Sequence, residues 1–242
     1  IGLVGSEMCI RDRVFFEHFS NSAITDECEG TNVEGNITNN FNNGAWNPNS
    51  LPGSVGQYWE ALYEGIRKAN LIIENVQKYN TPDNPQQDGD LRNRIGEMYF
   101  MRGYFHMLLL RMYGEAPYID RVINAGDNMD FKKESVHSMV EKIVTDAQTA
   151  YGMVPNKYVK TSENFGRVDK GACLGLISFV RWVAATQLWN GASQYGYNLR
   201  RVFENEYAYD ATRWRKAKEA AKAVLDFEVG GTKRYSLYTK HD

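Results

Sequence analysis

Apolar residues recur at helical spacing through the middle of the chain. Between residues 91 and 112 they form one stripe made of Leu91, Ile95, Met98, Phe105, Leu109 and Met112, and Tyr99, Leu108 and Leu110 widen it. Residues three and four apart share one face of a helix, so the pattern predicts a helix here. The apolar surface covers so much of its circumference that this helix must pack on more than one side. Asp88 or Asp90 is suited to cap its start, and Gly114 and Pro117 predict its end.

The same periodicity predicts four further helices, at about residues 56–76, 135–151, 169–189 and 213–227. The helix at 169–189 contains small residues that allow another helix to approach closely: Gly171, Ala172, Gly175, Ala184 and Ala185. The last helix has an inward stripe of Trp214, Ala217, Ala221, Val224 and Leu225. Paired helices of this kind are typical of tetratricopeptide units, although no strict repeat of about 34 residues can be written out. We therefore predict an all-α fold, a tetratricopeptide-like helical-repeat scaffold with long irregular loops.

The segments between these helices predict how the chain is organised. Residues 14–56 are rich in Asn, Gly and Ser, which indicates a long loop, and residues 118–131 indicate a second one. Residues 1–13 can be back-translated into a transposase adapter used to prepare sequencing libraries, so we expect them to be of foreign origin. Residues 14–242 are then expected to be the N-terminal and central part of a domain whose C-terminal part is missing.

Charge and composition exclude several classes of function. The net charge of −2 over 242 residues argues against nucleic-acid binding, which normally requires a basic surface. No apolar run reaches the ~20 residues needed to span a bilayer. Cys28 and Cys173 have no metal or redox spacing, and the four His residues show no metal-binding motif. We predict neither a metal nor a cofactor.

Four segments, in this order, resemble the SusD/RagB family of outer-membrane nutrient-binding lipoproteins. They are Trp-Glu-Ala-Leu-Tyr-Glu-Gly-Ile-Arg-Lys-Ala-Asn at 59–70, the run from Gly96-Glu-Met-Tyr-Phe-Met-Arg-Gly-Tyr-Phe to Tyr-Gly-Glu-Ala-Pro ending at 117, Phe-Gly-Arg-Val-Asp-Lys-Gly-Ala at 165–172, and Trp-Arg-Lys-Ala-Lys-Glu-Ala-Ala-Lys-Ala-Val at 214–224. The residues of each segment alone are mostly explained by helix packing. The order and spacing of the four segments over nearly the whole chain make the resemblance specific.

The resemblance implies a function that the residues alone do not show. Members of the family are lipid-anchored at the cell surface of the outer membrane and form a lid on a TonB-dependent transporter of the SusC type. They bind oligosaccharides, or in some cases peptides, and deliver them to that transporter without catalysis. In this chain the lipidated Cys would lie upstream of Cys28.

The first candidate ligand site is the loop at residues 39–50. Trp46 and Asn49 are similar to a Trp and Asn pair in the same loop of starch-binding members, and Asn47 lies between them. An aromatic ring can stack on a sugar face while amides bond its hydroxyls. We add Asp26, in the acidic turn at residues 22–27 that also resembles the family. The alternative is that Trp46 packs the loop onto the helices and the Asn residues only make turns.

The second candidate site is the polar, aromatic segment at residues 188–197. Tyr195 and Tyr197 are candidate ligand-binding residues, whereas Trp189 is expected to close the end of its helix. Glu97, Arg102 and Arg111 on the central helix could be mistaken for an active site. Because an unpaired buried charge is costly, we instead expect them to form internal salt bridges or bonds to loop carbonyls.

Two other classes of function stay open at this point. A helical-repeat adaptor would bind protein or peptide segments along a groove, but such repeats generally have short connections. A helical glycoside hydrolase would need two carboxylic acids at a defined separation, one of them with a raised pKa. Asp26, Glu27, Glu29 and Glu34 are loop acids with no predicted apolar pocket, so we predict no catalytic residue.

Overall fold

The computed structural model describes residues 42–44, 53–79, 89–159, 161–191 and 203–236. The chain divides into two compact units, residues 1–63 and 64–242, and each is described by itself. In the first unit, the rings of Trp59 and Tyr63 lie 4.9 Å apart, one helical turn from each other. The remaining description concerns the second unit, which contains most of the described residues.

The described residues form five α-helices and little else. The helices are α1 (Gly53–Tyr79), α2 (Gly89–Tyr113), α3 (Val136–Met153), α4 (Lys170–Ala185) and α5 (Ala211–Leu225). A 3-10 helix spans Glu204–Tyr207. After α5, β1 (Glu228–Val229) and β2 (Thr232–Lys233) form a small antiparallel hairpin in which Glu228 lies opposite Lys233. The predicted all-α class is confirmed, whereas the sequence pattern did not predict the hairpin.

Polar side chains cap three of these helices at their starts. Ser135 accepts a hydrogen bond from the backbone N–H of Ser138, Asp169 from that of Ala172 and Asp210 from that of Thr212. The end of α4 differs from its prediction, because the helix stops at Ala185, four residues before Trp189. Thr186 is already extended, with ψ 156°, and its N–H bonds back to the carbonyls of Trp182 and Val183. Each cap satisfies backbone groups that a helix end leaves unpaired.

Successive helices from α2 to α5 pack against one another in order and run antiparallel. The turn after α3 meets the start of α4 through a bond from the Lys170 N–H to the Pro155 carbonyl. The residues after α4 meet the start of α5 through Asn190 and Asp210. As a result α2 and α4 end on the same side of the unit. None of the helices in the described ranges is long and apolar enough to cross a membrane.

The central helix α2 is packed on more than one side, as predicted, but through a different set of residues. Its most buried stretch runs from Met101 to Leu110 and includes Arg102 and His106. Of the predicted stripe, Leu109 is fully buried, Met112 is 38% exposed and the other four are half-buried. The buried face of α2 differs from the predicted stripe because the closest helix crossings occur at glycines. A hydrophobicity pattern does not identify glycines as buried positions.

Three glycines mark where helices approach most closely. A Cβ added at Gly96 would lie 2.7 Å from the Cβ of Met153, and one at Gly65 would lie 2.7 Å from the ring of Phe105. Gly103 faces Asp146 and Leu176. The small residues predicted on α4 only partly fit this role. Ala184 and Ala185 are buried, but Gly175 has no atom within 4 Å of an added Cβ, and Gly171 is covered by Tyr235 after the hairpin.

The prediction of an inward stripe on α5 is confirmed for two of its five residues and wrong for the other three. Ala217 is buried and Val224 is half-buried, but Trp214 is 45% exposed and Leu225 is 59% exposed. Ala221 is exposed as well. Within the described part of the chain, one edge of this apolar surface therefore packs on α4 and the other edge is open.

Candidate functional site

The predicted ligand-binding residues lie outside the described part of the chain. These residues are Asp26, Trp46, Asn47, Asn49, Tyr195 and Tyr197. They stay predictions. The described residues that adjoin the second candidate segment are Leu188 to Gly191, and these residues border a pocket.

This pocket opens where α2 and α4 end. Its volume is about 450 Å³, and its wall includes Arg111, Tyr113, Trp182, Thr186, Leu188 and Trp189. Backbone carbonyls at a helix C-terminus have no partner inside the helix and carry partial negative charge. The pocket thus combines aromatic and aliphatic surface with the C-terminal ends of two helices and the guanidinium of Arg111.

Trp189 is a fixed part of the pocket wall. Its indole ring packs on Gly114, which has φ +71° and where an added Cβ would lie 2.9 Å from the ring. Tyr207 meets the same ring edge-on at a centroid distance of 5.3 Å. The Nε2 atom of His137 lies 2.9 Å from the Trp189 carbonyl oxygen, to which it donates. Trp189 thus lies four residues beyond the end of α4 and packs on the residue after α2, rather than closing the end of its own helix as predicted.

Trp182 is the exposed aromatic ring of the pocket. Its side chain is 51% exposed, and its ring lies 5.8 Å from that of Phe179 one turn earlier. The guanidinium of Arg111 sits over the Phe179 ring at 5.5 Å. Arg111 is exposed, and within the described ranges it makes this cation–π contact rather than a predicted internal salt bridge or bond to a loop carbonyl. An exposed indole beside a guanidinium is able to stack on a ligand ring and to donate hydrogen bonds.

The mouth of the pocket is anchored where the second candidate segment begins. The N–H of Gly191 donates to the Tyr207 carbonyl over 2.7 Å. Asn190 is 2% exposed, accepts from the Asp210 N–H at 2.7 Å and from Arg213 at 2.8 Å, and donates to the Asp210 carbonyl at 3.2 Å. These bonds fix the direction in which the chain leaves α4.

Arg102 of α2 belongs to a buried network of hydrogen bonds that holds the fold together. Arg102 donates to both carboxylate oxygens of Asp146, at 2.7 and 2.5 Å, and to Asn70 and the Asp120 carbonyl at 2.9 Å each. Tyr118 donates to Asp146 at 2.6 Å. Arg102 and Asp146 are 7% and 4% exposed. The predicted internal salt bridge of Arg102 is confirmed, and its donors are occupied by protein groups.

His106 and Asn70 hold the loop that follows α2, and the sequence did not single out either residue for this role. The Nδ1–H of His106 donates to the Arg102 carbonyl at 2.8 Å, and Nε2 accepts from the Ile119 N–H at 3.0 Å. Burial lowers the pKa of His106 to about 3, which keeps the ring neutral. Asn70 donates to the carbonyls of Ile119 and Arg121. The role of His106 could have been inferred from the sequence, because this His lies one helical turn after Arg102 in an otherwise apolar run.

A second ionic cluster joins α2 to the connection between α3 and α4. Arg167 donates to Glu97 at 2.8 Å and to Asp90 at 2.9 Å, and Tyr158 donates to Glu97 at 3.0 Å. Glu97 is thus paired, as predicted. Among the described residues no group of three His, Cys, Asp or Glu side chains could hold a metal ion.

Sequence comparisons relate this chain to known proteins. A sequence profile of the SusD-like family, described as starch-binding and associating with the outer membrane, matches residues 12–181. SusD-like protein P2 from Formosa agariphila is 28% identical over 129 residues, which cover 53% of this chain and 24% of that protein.

Solved structures share the fold at low sequence identity. A SusD homologue from Bacteroides thetaiotaomicron superimposes with a TM-score of 0.57 at 24% identity, over 78% of this chain and 32% of its own. A laminarin-binding SusD-like protein has a TM-score of 0.57 at 18% identity, over 89% of this chain and 41% of its own. A structure described with a xylogluco-oligosaccharide has a TM-score of 0.55 at 19% identity, over 73% and 30%.

The chain therefore spans between about a quarter and two-fifths of the length of these relatives. The family profile covers well over half of the chain, and the fold agrees with that of the solved structures. This chain belongs to the SusD-like family of proteins that associate with the outer membrane.

Proposed function

We propose that the protein binds oligosaccharides without catalysis and delivers them to a TonB-dependent transporter of the SusC type. The observation that carries this proposal is the family profile over residues 12–181, whose description is starch-binding. Two structural relatives are described with laminarin or with a xylogluco-oligosaccharide, which supports a glycan as the ligand class. A lipid anchor outside this sequence would hold the protein on the cell-surface side of the outer membrane.

The proposed ligand contacts come first from the segment before α1, which the sequence predicts to be a long loop. Trp46 would stack on the apolar face of a sugar ring, and Asn47, Asn49 and Asp26 would bond its hydroxyls. Tyr195 and Tyr197 would add contacts from the segment after α4. The long polar, aromatic segments that the sequence predicts to be loops favour this function over a repeat adaptor, whose groove is lined by helix side chains.

The pocket at the ends of α2 and α4 offers a further sugar-binding surface. Trp182 supplies an exposed aromatic ring, and Arg111 supplies hydrogen-bond donors. The relatives described with laminarin or with a xylogluco-oligosaccharide favour a neutral glycan as the ligand.

A binding panel with the full natural protein tests the proposal. Affinity electrophoresis through neutral polysaccharides, with a polyuronate as comparison, should show retardation by at least one neutral glycan and no release of reducing sugar. The Trp182→Ala variant should bind more weakly, whereas Phe165→Ala, which removes an aromatic ring that is 89% exposed and lies outside the pocket, should not. Binding to a peptide array with no retardation by any glycan would instead support the adaptor function.

The partner is tested separately. Mild detergent extraction of the outer membrane, followed by affinity purification of the protein, should recover a TonB-dependent transporter. Recovery of the protein without any transporter, under conditions that preserve other outer-membrane complexes, would contradict delivery while leaving glycan binding intact.

A further inference from the structure

Arg111 is an arginine of α2 whose hydrogen-bond donors are left unused by the described residues. On the same helix, Arg92 donates to a backbone carbonyl at 2.8 Å, and Arg94 and Arg102 each pair with a carboxylate. Arg111 lies in the last turn, is exposed and borders the pocket. Within the described ranges its guanidinium contacts the ring of Phe179. A cation–π contact consumes no hydrogen-bond donor, so the N–H groups of Arg111 are available to a ligand.

Phe179 of α4 contacts both exposed groups of the pocket. Its ring lies 5.5 Å from the guanidinium carbon of Arg111 and 5.8 Å from the ring of Trp182, three residues later on the same helix. Phe179 is half-buried, whereas Arg111 and Trp182 are exposed. The three side chains therefore form one continuous group across α2 and α4. A side chain that already rests against a fixed ring loses less conformational entropy when it binds a ligand.

The wall of the pocket favours an uncharged ring as its ligand. Apart from Arg111, the residues that line it carry no charge, and they include the aliphatic side chains of Met112, Val183 and Leu188. A carboxylate placed here would lose water against apolar surface and gain one exposed guanidinium, and desolvation of a charge is costly. A pyranose ring instead presents C–H groups to the apolar surface and hydroxyl oxygens to the guanidinium.

We propose that the pocket holds one neutral pyranose ring of the glycan, stacked on Trp182, and that Arg111 donates to two neighbouring hydroxyl oxygens of that ring. Phe179 is a positioning residue, which holds the guanidinium beside the stacked ring without contacting the sugar. The parallel N–H groups of a guanidinium suit two neighbouring acceptor oxygens, so Arg111 selects rings whose adjacent hydroxyls are free and equatorial. This inference rests on the proposed function, because it names the sugar unit that one part of the protein recognises.

Fluorine NMR of the full natural protein, labelled with 5-fluorotryptophan, tests the proposal at this pocket. The signal of Trp182 is identified by its absence in Trp182→Phe. The probe is methyl β-glucoside, which has adjacent equatorial hydroxyls, and the Trp182 signal should shift to saturation as it is added. Arg111→Met keeps an aliphatic side chain without donors and should weaken this binding at least about tenfold, because two hydrogen bonds from a charged group are lost.

Phe179 is tested with a matched set of substitutions. Phe179→Leu removes the ring beside the guanidinium and should weaken glucoside binding about twofold to tenfold, whereas Phe179→Tyr keeps the ring and should retain the affinity. In the Arg111→Met protein, Phe179→Leu should have no further effect, since Phe179 acts through Arg111. Phe100→Leu is the control. It removes another half-buried ring, 6.0 Å from that of Tyr104 and outside the pocket, and should leave glucoside binding unchanged.

A Trp182 signal that does not respond to the glucoside, or that responds equally in Arg111→Met, would overturn the proposal. Additive losses for Arg111→Met and Phe179→Leu would also overturn it, because they would assign Phe179 to packing. Tighter binding of methyl β-glucuronide that weakens as salt is added would identify an anion site instead. Retention by a neutral polysaccharide with an unresponsive Trp182 signal contradicts this inference alone. A responsive signal in a protein that no polysaccharide retains contradicts only the proposed function.

Discussion

Arg102 and His106 lie one turn apart on α2 and make the loop after this helix part of the core. Arg102 pairs with Asp146 of α3, and His106 accepts a hydrogen bond from the backbone of Ile119. Both side chains are buried, so neither would be stable there without these partners. The position of the polypeptide between α2 and α3 thus depends on a few polar contacts rather than on apolar packing alone.

Removing the partner of Arg102 should destabilise the protein strongly. Asp146→Asn keeps the size of the side chain but leaves a buried guanidinium without its counter-charge, which should cost about 3–5 kcal/mol in the free energy of unfolding. Urea denaturation measures this loss. The exposed pair of Arg121 and Asp127 provides the control, and Asp127→Asn should change the midpoint little. Equal effects of the two substitutions would contradict a structural role for the Arg102 network.

Stability should also decrease in mild acid because of the buried histidines. The pKa of His106 is lowered to about 3 and that of His137 to about 4, both mainly by burial. The imidazole of a histidine in the unfolded chain has a pKa of about 6.5. The unfolded state therefore takes up the proton first as the pH falls. The stabilising effect of the neutral rings is therefore complete above pH ~6.5 and is lost progressively as the pH falls toward the folded-state values.

The contribution of His106 can be measured between pH 6 and 5, above the usual range of carboxylate titration. The slope of unfolding free energy against pH should fall by up to about 1.4 kcal/mol per pH unit in His106→Gln relative to the unsubstituted protein. The variant should also be less stable at pH 7, because glutamine cannot reproduce both hydrogen bonds of the imidazole ring. An unchanged slope would show that His106 is protonated in the folded protein.

At the scale of the elements, hydrophobic periodicity predicted the helices better than it predicted their contacts. The five helices and the end of α2 at Tyr113 could be predicted, because apolar spacing and the stop signals Gly114 and Pro117 are local properties. The close crossings could not be predicted, since Gly65 and Gly96 are identified only once the partner helix is in place. The same limit explains why Gly175 was wrongly expected at a crossing.

Two glycine substitutions distinguish a crossing from an open helix surface. Gly96→Ala should destabilise the protein by about 1–3 kcal/mol, because the new methyl group would lie 2.7 Å from the Cβ of Met153. Gly175→Ala meets no atom within 4 Å and should stabilise the protein by about 0.5–1 kcal/mol through helix propensity. Thermal denaturation of both variants checks the opposite signs. Stabilisation by Gly96→Ala would contradict the close packing of α2 on α3.

At the scale of the whole molecule, the described helices form a frame without a recognisable catalytic centre. The pocket beside Trp182 contains aromatic rings and a guanidinium, and the charged clusters around Arg102 and Arg167 are internally paired. This pocket could not be predicted from the sequence, because Trp182 and Arg111 come from helices separated by α3. The family resemblance predicted the fold and the outer-membrane association, and both are confirmed. The loop residues Trp46 and Asn49 stay predictions.

Glycan binding by Trp46, in the segment before α1 that the sequence predicts to be a loop, is the central claim, and one titration tests it most directly. Isothermal titration of the full natural protein with an oligosaccharide of the retained glycan should lose its binding signal in Trp46→Ala. The melting temperature of that variant should stay close to that of the unsubstituted protein. A large fall in melting temperature with unchanged affinity would contradict the claim, because it would assign Trp46 to packing.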